Sequence, residues 1–220
     1  MSGAIANGIA VADDLDLAGI WKRGEDLDPI VANSDVLIDF SLPEANDEVV
    51  AAAIRHKTPL VCGVSGLSDQ QITALGEAAT SIAVVYDRNM SLGVAVLEKL
   101  VAQAAAALGD GFAVEVYETH HVHKLDSPSG TALKLGEAIA AARSGRADDI
   151  HYEVERRGEV PGDHSVVFSS ATERVTLSHS VTTRQVFADG ALHAARWVAS
   201  QLSGRYSMQD VLTQKIADSL

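Results

Sequence analysis

The spacing of apolar and polar residues divides the chain into two halves of different build. In the first half, short apolar runs alternate with helical patterns. Residues 2–12 read as a small-residue helix, and Leu17–Trp21 is a short apolar run that suits a strand. Asp28–Asn33 is expected to make a turn of helix. Ser34–Phe40 reads as a buried strand. A helix follows over Glu44–His56, with Pro43 in its first turn and Ser41 as its cap. Pro59–Gly63 and Ile82–Tyr86 are two more apolar strands. Between them Ser68–Ala79 is helical, with Ser68 capping and Gln71 in the capping-box position. Apolar strands separated by helices predict a parallel sheet covered on both faces.

The pattern changes after Asn89. Ser91–Leu108 is a long Ala- and Leu-rich helix stopped at Gly109, and Phe112–Thr119 alternates as a half-buried strand does. Ser129–Ala142 is a helix that begins at Ser129 or Thr131. His151–Arg157, His164–Ser170 and Arg174–Thr182 read as antiparallel strands, with Glu159–Gly162 as the turn between the first two. A final helix is expected over Gly190–Leu202. An α/β half is thus followed by an α+β half, with the boundary near residues 89–92.

Composition narrows the partners. The 220 residues are 47% hydrophobic, enough for one large core or two small ones. A formal net charge of -13 disfavours nucleic acid and anionic lipid, so a small anionic substrate would need a local basic pocket. The single cysteine, Cys62, rules out an intrachain disulfide and fits a reducing compartment. No apolar run reads as long enough to cross a bilayer, and Met1–Ala6 lacks the basic stretch of a signal peptide. A soluble, cytoplasmic protein is expected.

The densest chemistry lies between Glu118 and Thr131, where His120, His121, His123 and Lys124 fall within five residues. This segment follows a strand and precedes a helix, where functional loops sit. Ser129-Gly130-Thr131 opens that helix, and exposed amides with two hydroxyls suit a carboxylate. Lys124 can hold a second anionic group, and a histidine can move a proton near neutral pH. An anion-binding catalytic loop accounts for these features together. A zinc site on the three histidines and a solvated turn remain alternatives.

The run Glu-Thr-His-His-Val-His-Lys-Leu-Asp-Ser-Pro-Ser-Gly-Thr-Ala (118–132) resembles the signature of the dihydrodipicolinate reductase family, E-x-H-H-x-x-K-x-D-x-P-S-G-T-A. Further resemblances lie at Val36–Glu44, Val61–Leu67, Asn89–Val94, Gly162–Phe168, Leu177–His179 and Arg184–Trp197, so nearly the whole chain is covered. The resemblance implies a Rossmann-like dinucleotide-binding domain over residues 1–91, with 186–220 packing back on it. It implies an α+β substrate domain over 92–185 whose mixed sheet builds a homotetramer. The implied reaction is hydride transfer from NADPH or NADH to a ring carbon of a cyclic dicarboxylate, with loss of water, in lysine and diaminopimelate synthesis. His120 is then the proton donor or acceptor, and Lys124 the second catalytic residue. His121, Ser129, Gly130 and Thr131 bind the dicarboxylate. Gly63, Val64 and Ser65, with Asp87, Arg88, Asn89 and Met90, line the nicotinamide side of the cofactor pocket.

Cofactor choice turns on the end of the second strand, where a carboxylate suits NAD and a basic residue admits a 2′-phosphate. Lys22 holds that place with Arg23 beside it, which favours NADPH; a solvated basic turn is the plain alternative. The family begins with a strand and a loop of the form G-x-x-G-x-M-G, and Met1-Ser2-Gly3 aligns with the end of that loop. A longer protein with residues upstream is the favoured expectation, and a short form with weakened cofactor binding the other. The loop after Gly145 is also expected to be shortened. A degenerate paralogue that binds dicarboxylates without catalysis and a metal-dependent hydrolase are the rival functions.

Overall fold

The computed structural model describes residues 1–143 and 150–217, the last four by backbone alone; the segment after Gly145 lies outside the described residues. The chain divides into two compact units, Met1–Ser91 with Gln185–Leu220, and Leu92–Arg184.

The first unit holds a parallel sheet of β1 (Leu37–Asp39), β2 (Leu60–Cys62), β3 (Ala83–Tyr86) and β8 (Gly204–Tyr206), in the order β1-β2-β3-β8. β2 is buried along its whole length, as a strand covered on both faces must be. One face packs on the short α2 (Asp28–Val31), α3 (Pro43–His56) and α4 (Asp69–Ala78), through Val31, Val49, Val50, Ala53 and Leu75 against Leu60, Cys62 and Val84. The other carries α1 (Ser2–Ala10) and α7 (Gln185–Val198), with Ile5, Ala188 and Leu192 packed against Ile38 and Phe40. The Ser68–Gln71 capping box forms as its spacing predicts.

Several expectations need correction. Pro43 opens α3, but Ser41 is not its cap: Leu42 stands at that position without a side-chain bond, and Ser41 gives its N–H to Asp39. α7 begins at Gln185 rather than Gly190 and ends at Val198. β8 and α8 (Met208–Ala217) carry too little apolar pattern to have been expected. Leu17–Trp21 forms no strand. A strand exists only through a partner's hydrogen bonds, and here a cavity of about 1000 Å³ replaces one. Ile5 and Ile9, Leu17 and Trp21, and Leu37 and Phe40 line it. Leu37 gives its N–H to Pro59 and Asp39 accepts from Gly63, both toward β2. The alternation of a parallel ladder therefore turns the amides of Ile38 and Phe40 into the cavity.

The second unit has a mixed sheet of β4 (Ala113–His120), β5 (His151–Arg156), β6 (Asp163–Ser169) and β7 (Arg174–Ser180), in the order β5-β4-β6-β7. β5 was expected to pair with β6 as a hairpin; instead it lies parallel to β4, while β6 pairs antiparallel on the other edge. The helix α6 (Gly130–Ala142) intervenes between β4 and β5, which permits a parallel return. α5 (Leu92–Leu108) and α6 cover one face, with Leu97, Val101, Leu135 and Ile139 against Val114, Val116, Val166 and Phe168. Contrary to the sequence reading, the stretch Leu92–Gly111 is long and apolar enough to match a membrane span by length and composition. Here it lies in this core through Leu97, Val101 and Ala105.

Candidate active site

β4 sets the site by its period of two. Val114, Val116, Glu118 and His120 all point to the buried face, so an apolar strand ends in a carboxylate and an imidazole inside the unit. Glu118 stands directly opposite His164 on β6, and His120 beside Arg156 on β5. The two imidazoles meet edge to face with centroids 5.1 Å apart.

Glu118 is the hub. Its oxygens accept the N–H of Ser129 at 3.1 and 3.2 Å and two guanidinium nitrogens of Arg156 at 3.3 and 3.2 Å. Its Oε2 lies 3.4 Å from His120 Nδ1 and 3.8 Å from His164 Nε2. Ser129 caps α6, its hydroxyl accepting from the Ala132 N–H at 3.2 Å and meeting His164 Nε2 at 3.3 Å. Burial pushes the His120 imidazole down to about 4; Glu118 opposes this, and Lys124 and Arg156 add to it. Burial likewise pushes His164 down to about 3. Both rings are therefore neutral at pH 7. A Cβ on Gly162 would lie 3.0 Å from His120 Nε2, so glycine there leaves room at that nitrogen.

The other expected residues fall into two groups. The Lys124 side chain is about four-fifths buried, its ammonium held by Asp126 at 2.7 Å, and it acts electrostatically on His120. His121 accepts from Arg184 at 3.2 Å. Ser129 and Thr131 are buried, and Gly130 opens α6. Ser129 has its N–H and hydroxyl engaged within the protein, so its contribution runs through the helix cap. His123 is exposed and paired with Glu159, apart from any metal set. Among the described residues, Glu118, His120 and His164 have the spacing of metal ligands, with ligand atoms within 4.8 Å of one another. The Arg156 guanidinium and the Ser129 amide already balance that carboxylate, while Nδ1 of His120 and Nδ1 of His164 are buried without a hydrogen bond.

The first unit carries the residues expected at the cofactor. Gly63 and Ser65 follow β2 and Arg88 and Asn89 follow β3, at the C-terminal edge of the parallel sheet where dinucleotides bind. Gly63 is glycine because a Cβ would sit 2.5 Å from the Phe40 ring. Val64 and Met90 are each 1% exposed and belong to the core, so their side chains cannot reach a ligand. Asp87 accepts the N–H of Met208 and of Asn89 and ties α8 to the sheet. Lys22 and Arg23 are exposed in a turn, with Arg23 3.6 Å from Glu44.

Sequence reasoning passed over Glu118, Asp126, Arg156, His164 and Arg184 as site residues. The alternation running from Val114 carries Glu118 inward and was a usable signal. Arg156 and His164 come from distant strands and required the register.

A parallel α/β unit and a mixed-sheet unit with a buried cluster of two imidazoles and a carboxylate make the build of a two-domain oxidoreductase. The chain belongs to the dihydrodipicolinate reductase family: residues 8–90 match the model of its N-terminus and 93–212 that of its C-terminus. It is 43% identical to a 4-hydroxy-tetrahydrodipicolinate reductase of Alkalilimnicola ehrlichii, over 91% of this chain and 83% of that protein. It is 41% identical to the enzyme of the same name from Zymomonas mobilis, over 92% and 89%. The fold is shared with a dipicolinate-bound dihydrodipicolinate reductase from Paenisporosarcina sp. TG-14, at a TM-score of 0.75, 20% identity and 94% coverage of both chains.

Proposed function

We propose that this chain reduces 4-hydroxy-tetrahydrodipicolinate to tetrahydrodipicolinate with loss of water, using a nicotinamide cofactor, in lysine and diaminopimelate synthesis. The observation that carries this reading is the neutral, buried imidazole of His120 beside the ammonium of Lys124. A dianionic ring brought to Lys124, Arg184, His121 and the start of α6 at Gly130 and Thr131 raises the proton affinity of His120. The imidazole then gains a proton where one is to be donated. Lys124 exchanges Asp126 for a substrate carboxylate. Gly162 leaves space at Nε2 for the reacting ring.

The cofactor, when bound, supplies the hydride. The rim of the first unit fits it: Gly63, Ser65, Arg88 and Asn89 edge the parallel sheet, with Val64 and Met90 contributing backbone alone. Lys22 and Arg23 favour NADPH through its 2′-phosphate. Residues 1–91 with 186–220 then act as the dinucleotide-binding part and 92–185 as the substrate part. Assembly as a homotetramer is supported by the face of the mixed sheet bearing Glu115, Tyr117 and Thr119, which α5 and α6 leave uncovered.

The test is oxidation of NADPH, followed by absorbance, dependent on 4-hydroxy-tetrahydrodipicolinate. His120→Gln lowers kcat by about 10²–10⁴-fold. Lys22→Glu with Arg23→Glu raises KM for NADPH more than for NADH. An unmutated protein that oxidises neither cofactor in the presence of substrate sinks the reading.

A further inference from the structure

The chemistry above gives no role to the ion pair of Glu118 and Arg156, yet the pair touches each part that chemistry uses. The Arg156 side chain is one-fifth exposed and that of Glu118 almost fully buried. From β5, Arg156 gives Nε to the carbonyl of Lys124 at 3.3 Å and Nη2 to the carbonyl of Asp126 at 2.5 Å. The same guanidinium binds Oε1 of Glu118 at 3.2 Å. From β4, Glu118 holds the N–H of Ser129 and approaches Nδ1 of His120. One fork and one carboxylate thus hold two carbonyls of the loop and the amide that opens α6, and the carboxylate faces the side of the imidazole turned away from Nε2 at 3.4 Å.

Resting on the reductase reading, we propose that Glu118 and Arg156 are positioning residues: they set the loop that carries Lys124 and the orientation of His120 for a dianionic ring. A planar guanidinium holds five donors in a fixed fork and here reaches four acceptors, the carbonyls of Lys124, Asp126 and Glu155 and Oε1 of Glu118; an ammonium has three donors on one nitrogen and cannot span them. Stability alone is a poor account of the pair, because apolar residues often replace a buried ion pair at no loss. What the ionic pair supplies is geometry, and a catalytic group displaced by about 1 Å loses about 100-fold in rate.

The two charges also bear on His120 with opposite sign. Glu118 on its own strand and Asp126 in the loop raise its proton affinity; Lys124 in the loop and Arg156 on β5 lower it, and burial outweighs them all. His164 on β6 stands edge-on to the same ring. Opposed shifts on removing the two charges would show that both act on His120, and Arg156→Lys, which keeps its charge, separates the geometry of the fork from that field.

The experiment uses the full chain with Glu118→Gln, Arg156→Gln and Arg156→Lys. His120 is titrated by NMR, its signal assigned by its loss in His120→Gln, and binding of pyridine-2,6-dicarboxylate is measured by calorimetry. The expected result is that Glu118→Gln lowers the pH at which His120 gains its proton and Arg156→Gln raises it. Arg156→Lys, which keeps the charge without the fork, loses about 100-fold in kcat/KM for 4-hydroxy-tetrahydrodipicolinate while KM for the cofactor stays unchanged. Shifts in the same direction, or no shift with loss confined to thermal stability, overturn the proposal. So does an Arg156→Lys protein with unaltered kcat/KM. An inactive unmutated protein sinks the reductase reading instead, and the opposed shifts and dicarboxylate binding still decide whether the pair positions this site.

Discussion

Gly190 lies against the backbone of Met90 so closely that a Cβ built on it would stand 1.7 Å from the Met90 carbonyl oxygen. This approach lets α7 pack on the strand-β3 side of the first unit. In a solvent-facing helix position, Gly→Ala stabilises by up to about 1 kcal/mol. Here the sign reverses, because the obstacle is backbone and cannot rotate away. Gly190→Ala is expected to cost about 3 kcal/mol or more, seen as a drop in Tm of roughly 10 °C. Gly3→Ala in α1, where a Cβ meets nothing within 4 Å, is the control and leaves Tm level or raised.

The depressed histidines make stability depend on pH. His120 and His164 are pushed down to about 4 and about 3 by burial, against about 6.5 in an unfolded chain. Below about pH 6.5 the unfolded state binds these protons and the folded state does not, so stability is full above that pH and falls as pH drops toward 4. Each histidine contributes up to about 1.4 kcal/mol per pH unit in that window. Asp14, Asp28 and Asp126, whose carboxyls are lowered from 3.8, add their losses only below that window. Urea midpoints measured at pH 7 and pH 5 are expected to differ, and His164→Asn to flatten the difference. Equal midpoints would show that burial does not hold these rings neutral.

How far the chain could be read in advance follows from which interactions are local. The Ser68–Gln71 box lies within four residues, and it formed where its spacing placed it. The buried side of β4 was legible from Val114 and Val116, and it carries Glu118 and His120 inward. Partners were not legible. β5 alternates as an antiparallel strand would, but pairs parallel with β4 across an intervening helix, so Arg156 arrives beside His120 by register alone. His164 reaches Glu118 in the same way across β6. Leu17–Trp21 has the composition of a strand and lacks the neighbour that would make it one. Val64 and Met90 sit where a cofactor-lining residue was expected, yet the core claims their side chains.

The Lys124–Asp126 pair puts a carboxylate of the protein where a carboxylate of the ligand is proposed to bind. The ammonium lies 2.7 and 2.8 Å from the two Asp126 oxygens, and the aspartate is more than half exposed. A dianion must displace Asp126, and that exchange subtracts from its affinity. Asp126→Asn removes the competing charge and leaves the loop carbonyl that Arg156 holds. Pyridine-2,6-dicarboxylate is expected to bind about 3- to 10-fold more tightly to this variant by calorimetry, a gain of about 1 kcal/mol. Since Asp126 also supports the proton on His120, kcat is expected to fall as affinity rises. Weaker binding would place the ligand away from Lys124.

The cavity beside β1 makes a prediction at the level of single amides. Leu37 and Asp39 turn toward β2, whereas Ile38 and Phe40 turn toward a cavity of about 1000 Å³. Hydrogen exchange is expected to alternate along this strand, with Leu37 and Asp39 protected and Ile38 and Phe40 exchanging at least about tenfold faster. The apolar walls formed by Ile5, Leu17, Trp21 and Leu37 should also bind a fluorescent apolar dye. An apolar strand of about five residues, fused ahead of Met1 through a glycine-rich loop, has the length and chemistry to pair with the Ile38 and Phe40 amides. It is expected to protect both amides, to exclude the dye and to raise Tm. Uniform protection across Leu37–Phe40 in the unfused chain would mean that the sheet edge is already covered.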